Sequence, residues 1–139
     1  MTTRGRKASL KAIDGGLKGV PPVPAHVPKD LADEWKSICA DMVERKILTT
    51  PALGLLETYL IARWSAREAQ KAISEHGVLV PGAHGAMKPN PASGLLSKAV
   101  VAVARLGAEL GISPSARAKD RFDNAGEKAD EGAPPDLVV

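Results

Sequence analysis

The stretch "VPGAHGAMKPNPASG", residues 80–94, decides how this chain folds. Pro81, Pro89 and Pro91, Gly82, Gly85 and Gly94, and Asn90 crowd between two long segments whose apolar residues recur at helical spacing. Prolines and glycines at this density end a helix. "VLV" before the loop and "AMK" after it are short extended runs, and "PGAHG" between them has the length and glycine placement of a hairpin loop. Asn90 followed by Pro91 is a favoured helix start, since a capping side chain precedes a proline at the first helical position. The stretch therefore reads as a corner that reverses the chain and begins a new helix. A lone hairpin is marginal in water, so this one is expected to pack on something, the adjacent subunit being one candidate.

Upstream, Leu53, Leu56, Leu60 and Trp64 form one apolar line, and Leu55, Tyr59, Ala62, Ala66, Ala69 and Ile73 a second beside it. They predict a helix from Pro51, capped by Thr50, to about Glu75, stopping at Gly77. An earlier helix is expected from a cap at Asp30 to about Lys46. Leu31, Trp35, Ile38, Met42 and Val43 would be its buried side, with Asp33 and Glu34 at its positive end. Downstream, residues 91 to about 110 are apolar nearly all round, broken by Lys98, Arg105 and Glu109, and Gly111 ends the run. The fold class is all-α: three main helices with a small β-hairpin between the second and third.

The 139 residues suffice for one modest domain, and only Trp35, Tyr59, Trp64 and Phe122 are aromatic. Such a chain buries little area per residue as a monomer. With the third helix apolar on most sides, a homo-oligomer is expected, and Leu95, Leu96, Val100, Val101, Val103, Leu106 and Leu110 are the candidate interface.

Charge divides the chain into three. Residues 1–29 carry six Lys/Arg and one Asp, residues 30–119 are close to neutral, and residues 120–139 hold six acids against two bases, within a net charge of +3. The first part reads as a flexible basic arm. Its "VPPVPAHVP" favours polyproline II and would hold the arm away from the body as a spacer. The middle reads as a helical body and the last part as an acidic disordered tail. A basic arm points to a polyanion. The candidate nucleic-acid contacts are Arg4, Arg6, Lys7 and Lys11 in the arm, Arg63, Arg67 and Lys71 as a stripe on the second helix, and Arg117 and Lys119 in a last basic turn begun by Ser113 and Pro114. Neither Arg63 nor Arg67 has an acid three or four places away, while Lys71 has Glu75. The stripe reads either as a solvated face or as a phosphate-facing one. Arg-Gly-Arg at residues 4–6 could also enter an AT-rich minor groove.

No catalytic constellation is legible. His26, His76 and His84 lie apart without the ligand spacing of a metal motif, "DGGLKGV" does not end as a phosphate-binding loop does, and Ser113 and Ser115 read as cap and turn residues. No cofactor or metal is expected. Cys39, the one cysteine, reads as a small core residue. No secretory signal or membrane span is apparent, so the expected location is cytoplasmic.

The basic "RGRK" at 4–7, the proline-rich spacer, "EWK" at 34–36, the long second helix, "KPNP" at 88–91 and the closing "GISPSARAK" at 111–119 together resemble the small terminase subunits of tailed bacteriophages. The resemblance covers residues 4 to 119. The closing segment keeps the sense of that family's Gly-Leu-Thr-Pro-Ser-Ser-Arg-Ala-Arg-Leu ending at Ile112, Ser113, Pro114, Ser115, Arg117 and Ala118, and departs from it at Ala116, Lys119 and Asp120. It implies a non-enzymatic DNA-packaging factor in the host bacterial cytoplasm. Such a factor forms a ring, binds double-stranded viral DNA and delivers it to a large subunit carrying ATPase and nuclease. The alternatives are a dimeric helix-turn-helix DNA-binding regulator using the first two helices, and a structural scaffold without a nucleic-acid role.

Overall fold

The computed structural model describes residues 15–114 and Arg117; the expectations for Arg4, Arg6, Lys7, Lys11, Lys119 and the acidic tail lie outside these. Three helices, α1 (Ala32–Glu44), α2 (Thr50–His76) and α3 (Ala92–Glu109), follow one another, with a two-stranded antiparallel hairpin, β1 (Leu79–Pro81) and β2 (Met87–Pro89), between α2 and α3. In the hairpin Leu79 pairs with Pro89, Val80 with Lys88 and Pro81 with Met87. Each strand sits one residue later than its expected apolar run, because the loop closes through Gly82 N donating to Ala86 O at 2.7 Å. His84 and Gly85 take the left-handed backbone that a tight loop needs (φ 61° and 79°).

The core forms where α1 meets the first half of α2 and the end of α3. Leu31, Trp35, Cys39 and Met42 come from α1 and the turn before it, Leu56, Tyr59 and Leu60 from α2, and Ile47 and Leu48 from the link between them. Leu110, 3% exposed, closes the core from the end of α3. Farther along, α2 and α3 run side by side as an antiparallel pair with Ala69, Ala92 and Ala99 buried. Small residues let the two backbones approach. Gly107 does the same opposite Tyr59, whose Cε2 lies 3.4 Å from where a Cβ would stand. Burial holds the Cys39 thiol in its neutral form, with its pKa pushed up to about 11.

Three boundaries of α1 and α2 differ from the sequence expectation. Asp30 does not cap α1: it lies in a 3-10 turn, Lys29–Leu31, closed by Leu31 N donating to Pro28 O at 2.9 Å. Burial of Leu31 draws the chain into this tighter turn, and the cap position passes to Leu31 itself. α1 ends at Glu44, because Lys46 turns to φ 57°. Thr49, not Thr50, caps α2, its hydroxyl accepting from Ala52 N at 3.4 Å. Leu48 is buried and its carbonyl accepts from Leu17 N, so Thr49 is the first extended residue beyond that anchor. Gly77 (φ 91°) ends α2 and Gly111 (φ 69°) follows α3, as expected.

The proline-rich segment is not a spacer within the described residues. Val27 is buried, Leu17 and Val23 pack on the core, and the Trp35 indole donates to Pro21 O at 3.1 Å. The prolines carry no N–H that burial would leave unpaired, the Pro21 carbonyl is free to accept from the indole, and Val27 N donates to Pro24 O at 3.1 Å in a turn that brings Val27 onto the core.

Candidate nucleic-acid interface

Of the α2 stripe, Lys71 is exposed and the expected Lys71–Glu75 pair does not form; the Glu75 carboxylate lies 3.9 Å from His76 Nε2 instead. Arg63 and Arg67 are ion-paired across to α1. Glu34 takes Arg63 Nε at 3.3 Å and Arg67 Nη2 on its other oxygen. Arg63 also donates to the Tyr59 hydroxyl at 3.4 Å and stacks its guanidinium 5.9 Å from that ring's centre. The Tyr59 hydrogen bond is the main reason that Arg63 is held still more firmly protonated; partial burial opposes it, and the Glu34 charge adds a lesser push in the same direction as Tyr59. Two turns along α1, Asp41 takes Arg117 Nη2 at 2.7 Å and Arg45 Nη1 at 3.5 Å.

Three of the candidate phosphate ligands, Arg63, Arg67 and Arg117, thus share partners on α1. Glu34 and Asp41 were not singled out as their partners from the sequence. They stand seven residues apart, which places them on one face of a helix, but nothing local names the arginines they meet. The side chains of Arg67 and Arg117 stay about half exposed in these pairs.

The candidate assembly residues divide in two. Leu95, Val100 and Val101 are exposed on α3, Val101 at 67%. Leu96 is half-buried. Val103 and Leu106 pack on the chain's own core and Leu110 is part of it, so these three are occupied within one chain. The sequence reading assigned them all to a neighbour because an apolar circumference does not say which arc faces home. Beside the exposed arc, a groove of roughly 530 Å³ runs between α2 and α3, floored by alanines such as Ala69, Ala72 and Ala99 and edged by Trp64 and Leu95.

Among the described residues no group of three or more His, Cys, Asp or Glu is placed to hold a metal ion, and no helix is long and apolar enough to cross a membrane. A family model described as "Phage terminase, small subunit" matches residues 32–126, from the first residue of α1 past the closing turn. The chain belongs to the phage terminase small-subunit family. The terminase match takes in all three helices, the hairpin, Arg63, Arg67, Lys71, Arg117 and Lys119, and leaves out Arg4, Arg6, Lys7 and Lys11. Comparison with curated proteins and with solved structures finds no match.

Proposed function

We propose that this terminase small subunit binds double-stranded viral DNA as a ring of identical copies and delivers it to the large ATPase/nuclease subunit for packaging in the host bacterial cytoplasm. The observation that carries the reading is the family match across all three helices. The family's role is DNA binding without catalysis, and this chain is read in the same way.

The physical logic is multivalent. One basic arm holding Arg4, Arg6, Lys7 and Lys11 contacts few phosphates, but copies fixed in one assembly act at high effective concentration on the same duplex. The exposed α3 residues Leu95, Val100 and Val101 supply apolar area for contacts between copies. Head-to-tail contacts that close give a ring. The regulator alternative is disfavoured by α2, whose first half lies in the core at Leu56, Tyr59 and Leu60, where a recognition helix needs an open face.

Native mass spectrometry combined with salt-dependent DNA binding tests the proposal. The expected result is an assembly larger than a dimer whose DNA affinity falls steeply with salt. Deleting residues 1–11 should flatten the log–log slope by about 0.9 per lost phosphate contact. A monomer at micromolar concentration defeats the ring, and a stable dimer that reads a palindrome favours the regulator.

A further inference from the structure

We infer that Arg117 is a positioning residue that clasps the chain's exit to α1, and not a ligand of DNA phosphate. The closing segment is held at two points by two neighbouring side chains at the end of α1. At its start, Arg45 Nη1 donates to Gly111 O at 2.8 Å. At its end, Arg117 Nη2 donates to Asp41 Oδ2 at 2.7 Å, a charge-assisted distance. Arg45 and Asp41 are themselves 3.5 Å apart, so the two attachments form one cluster.

The described residues between these points make bonds of their own. Ile112 N and Ser113 N both donate to Gly107 O, at 2.9 and 3.3 Å, and Arg117 N donates to Ser113 O at 3.1 Å. Ile112 packs on the core. A single half-exposed ion pair contributes little. Here it closes a turn already fixed at its other end, so less ordering entropy opposes it.

Phosphate would have to compete with Asp41 for the same guanidinium, in the field of a carboxylate that repels it. The geometry favours the internal use.

Hydrogen exchange on the full-length protein tests it, reading the amides of residues 113–117 in wild type, Asp41→Asn, Arg117→Gln and Arg117→Lys. Asp41→Asn and Arg117→Gln should each exchange several-fold faster there, their double variant no faster than Asp41→Asn, and Arg117→Lys, which keeps the charge opposite Asp41, should retain most of the protection. Rescue by the conservative charge is something a generally weakened fold would not give. Unchanged Trp35 fluorescence reports that the core is intact. In parallel, Arg117→Gln should leave the salt slope of DNA binding unaltered. Unchanged exchange in Asp41→Asn, or a slope reduced by about 0.9 in Arg117→Gln, would overturn the inference. The exchange measurement stands even if the protein proves not to bind DNA.

Discussion

The Asn90 side chain donates from Nδ2 to the Gly77 carbonyl at 2.9 Å, joining the residue that ends α2 to one two places before α3, which begins at Ala92 after Pro91 and so one residue later than the sequence suggests. Its Oδ1 accepts from Ala92 N at 3.0 Å, and its backbone N donates to Val78 O at 2.8 Å. Asn90 is 7% exposed, so each of these bonds is made away from water. Asn90→Ala should cost about 2 kcal/mol, from two side-chain bonds at about 1 kcal/mol each. Asn90→Asp keeps the cap but sets a carboxylate against the Gly77 carbonyl, and should also destabilise. Urea denaturation measures both; a wild-type midpoint for Asn90→Ala would show the corner is held elsewhere.

The proline-rich segment should contribute to stability up to the residues that touch Trp35. Removing residues 1–14 is expected to leave the denaturation midpoint in place. Removing residues 1–24 takes away Leu17, Val23 and the Pro21 carbonyl, and should lower the midpoint and red-shift the Trp35 emission. Trp35→Phe should cost about 1 kcal/mol or more, since the ring loses its N–H partner as well as volume.

Cys39 gives a pH signature. Its thiol pKa is raised on folding, from 9.0 to about 11, so the folded state holds the proton more tightly than the unfolded state. The contribution is complete below pH 9 and is lost as pH rises through 11. Stability should therefore decline above pH 9, and Cys39→Ala should remove that part of the decline. In the native protein at pH 8 a thiol reagent should label Cys39 only at the rate of opening.

Exposed and buried residues of α3 should respond differently to a charge. Val101→Asp places the carboxylate in water in the single chain, so circular dichroism and melting should be near wild type while light scattering reports a smaller assembly. Leu110→Asp buries it in the core and should unfold the chain. Val103→Asp should weaken the fold itself, because Val103 packs on that core. If Val101→Asp leaves the assembly intact, that arc of α3 is not an interface.

Glu34 decides what the α2 stripe does. Glu34→Gln frees Arg63 and Arg67 at a stability cost of roughly 1 kcal/mol or less, given how exposed the pairs are. If the stripe faces phosphate, Glu34→Gln should tighten DNA binding and Arg67→Gln should reduce the salt slope by about 0.9. If it only pins α2 to α1, neither the affinity of Glu34→Gln nor the slope of Arg67→Gln should change.

Much of the fold is legible because its signals are local. Gly77, Asn90–Pro91 and Gly111 punctuate the helices through φ preferences and caps that act over a few residues, and each marks a break where the sequence placed it. The caps of α1 and α2 each lie one residue from the position the sequence suggests, because burial of Leu31 and Leu48, a tertiary matter, chooses between adjacent candidates. Of the candidate site, the sequence supplied the arginines but not their partners.

By itself, then, the amino-acid order determined an all-α chain with a hairpin corner, a buried Cys39, and the motifs that place it among terminase small subunits. Only the tertiary structure decided that Glu34 takes Arg63 and Arg67, that Asp41 takes Arg117, that Pro21 serves Trp35, and which arc of α3 is left open. The reason is range. Backbone propensity and helical periodicity are properties of neighbours along the chain, whereas an ion pair spanning 76 positions, such as Arg117 with Asp41, exists only once packing has brought the segment after α3 against the end of α1.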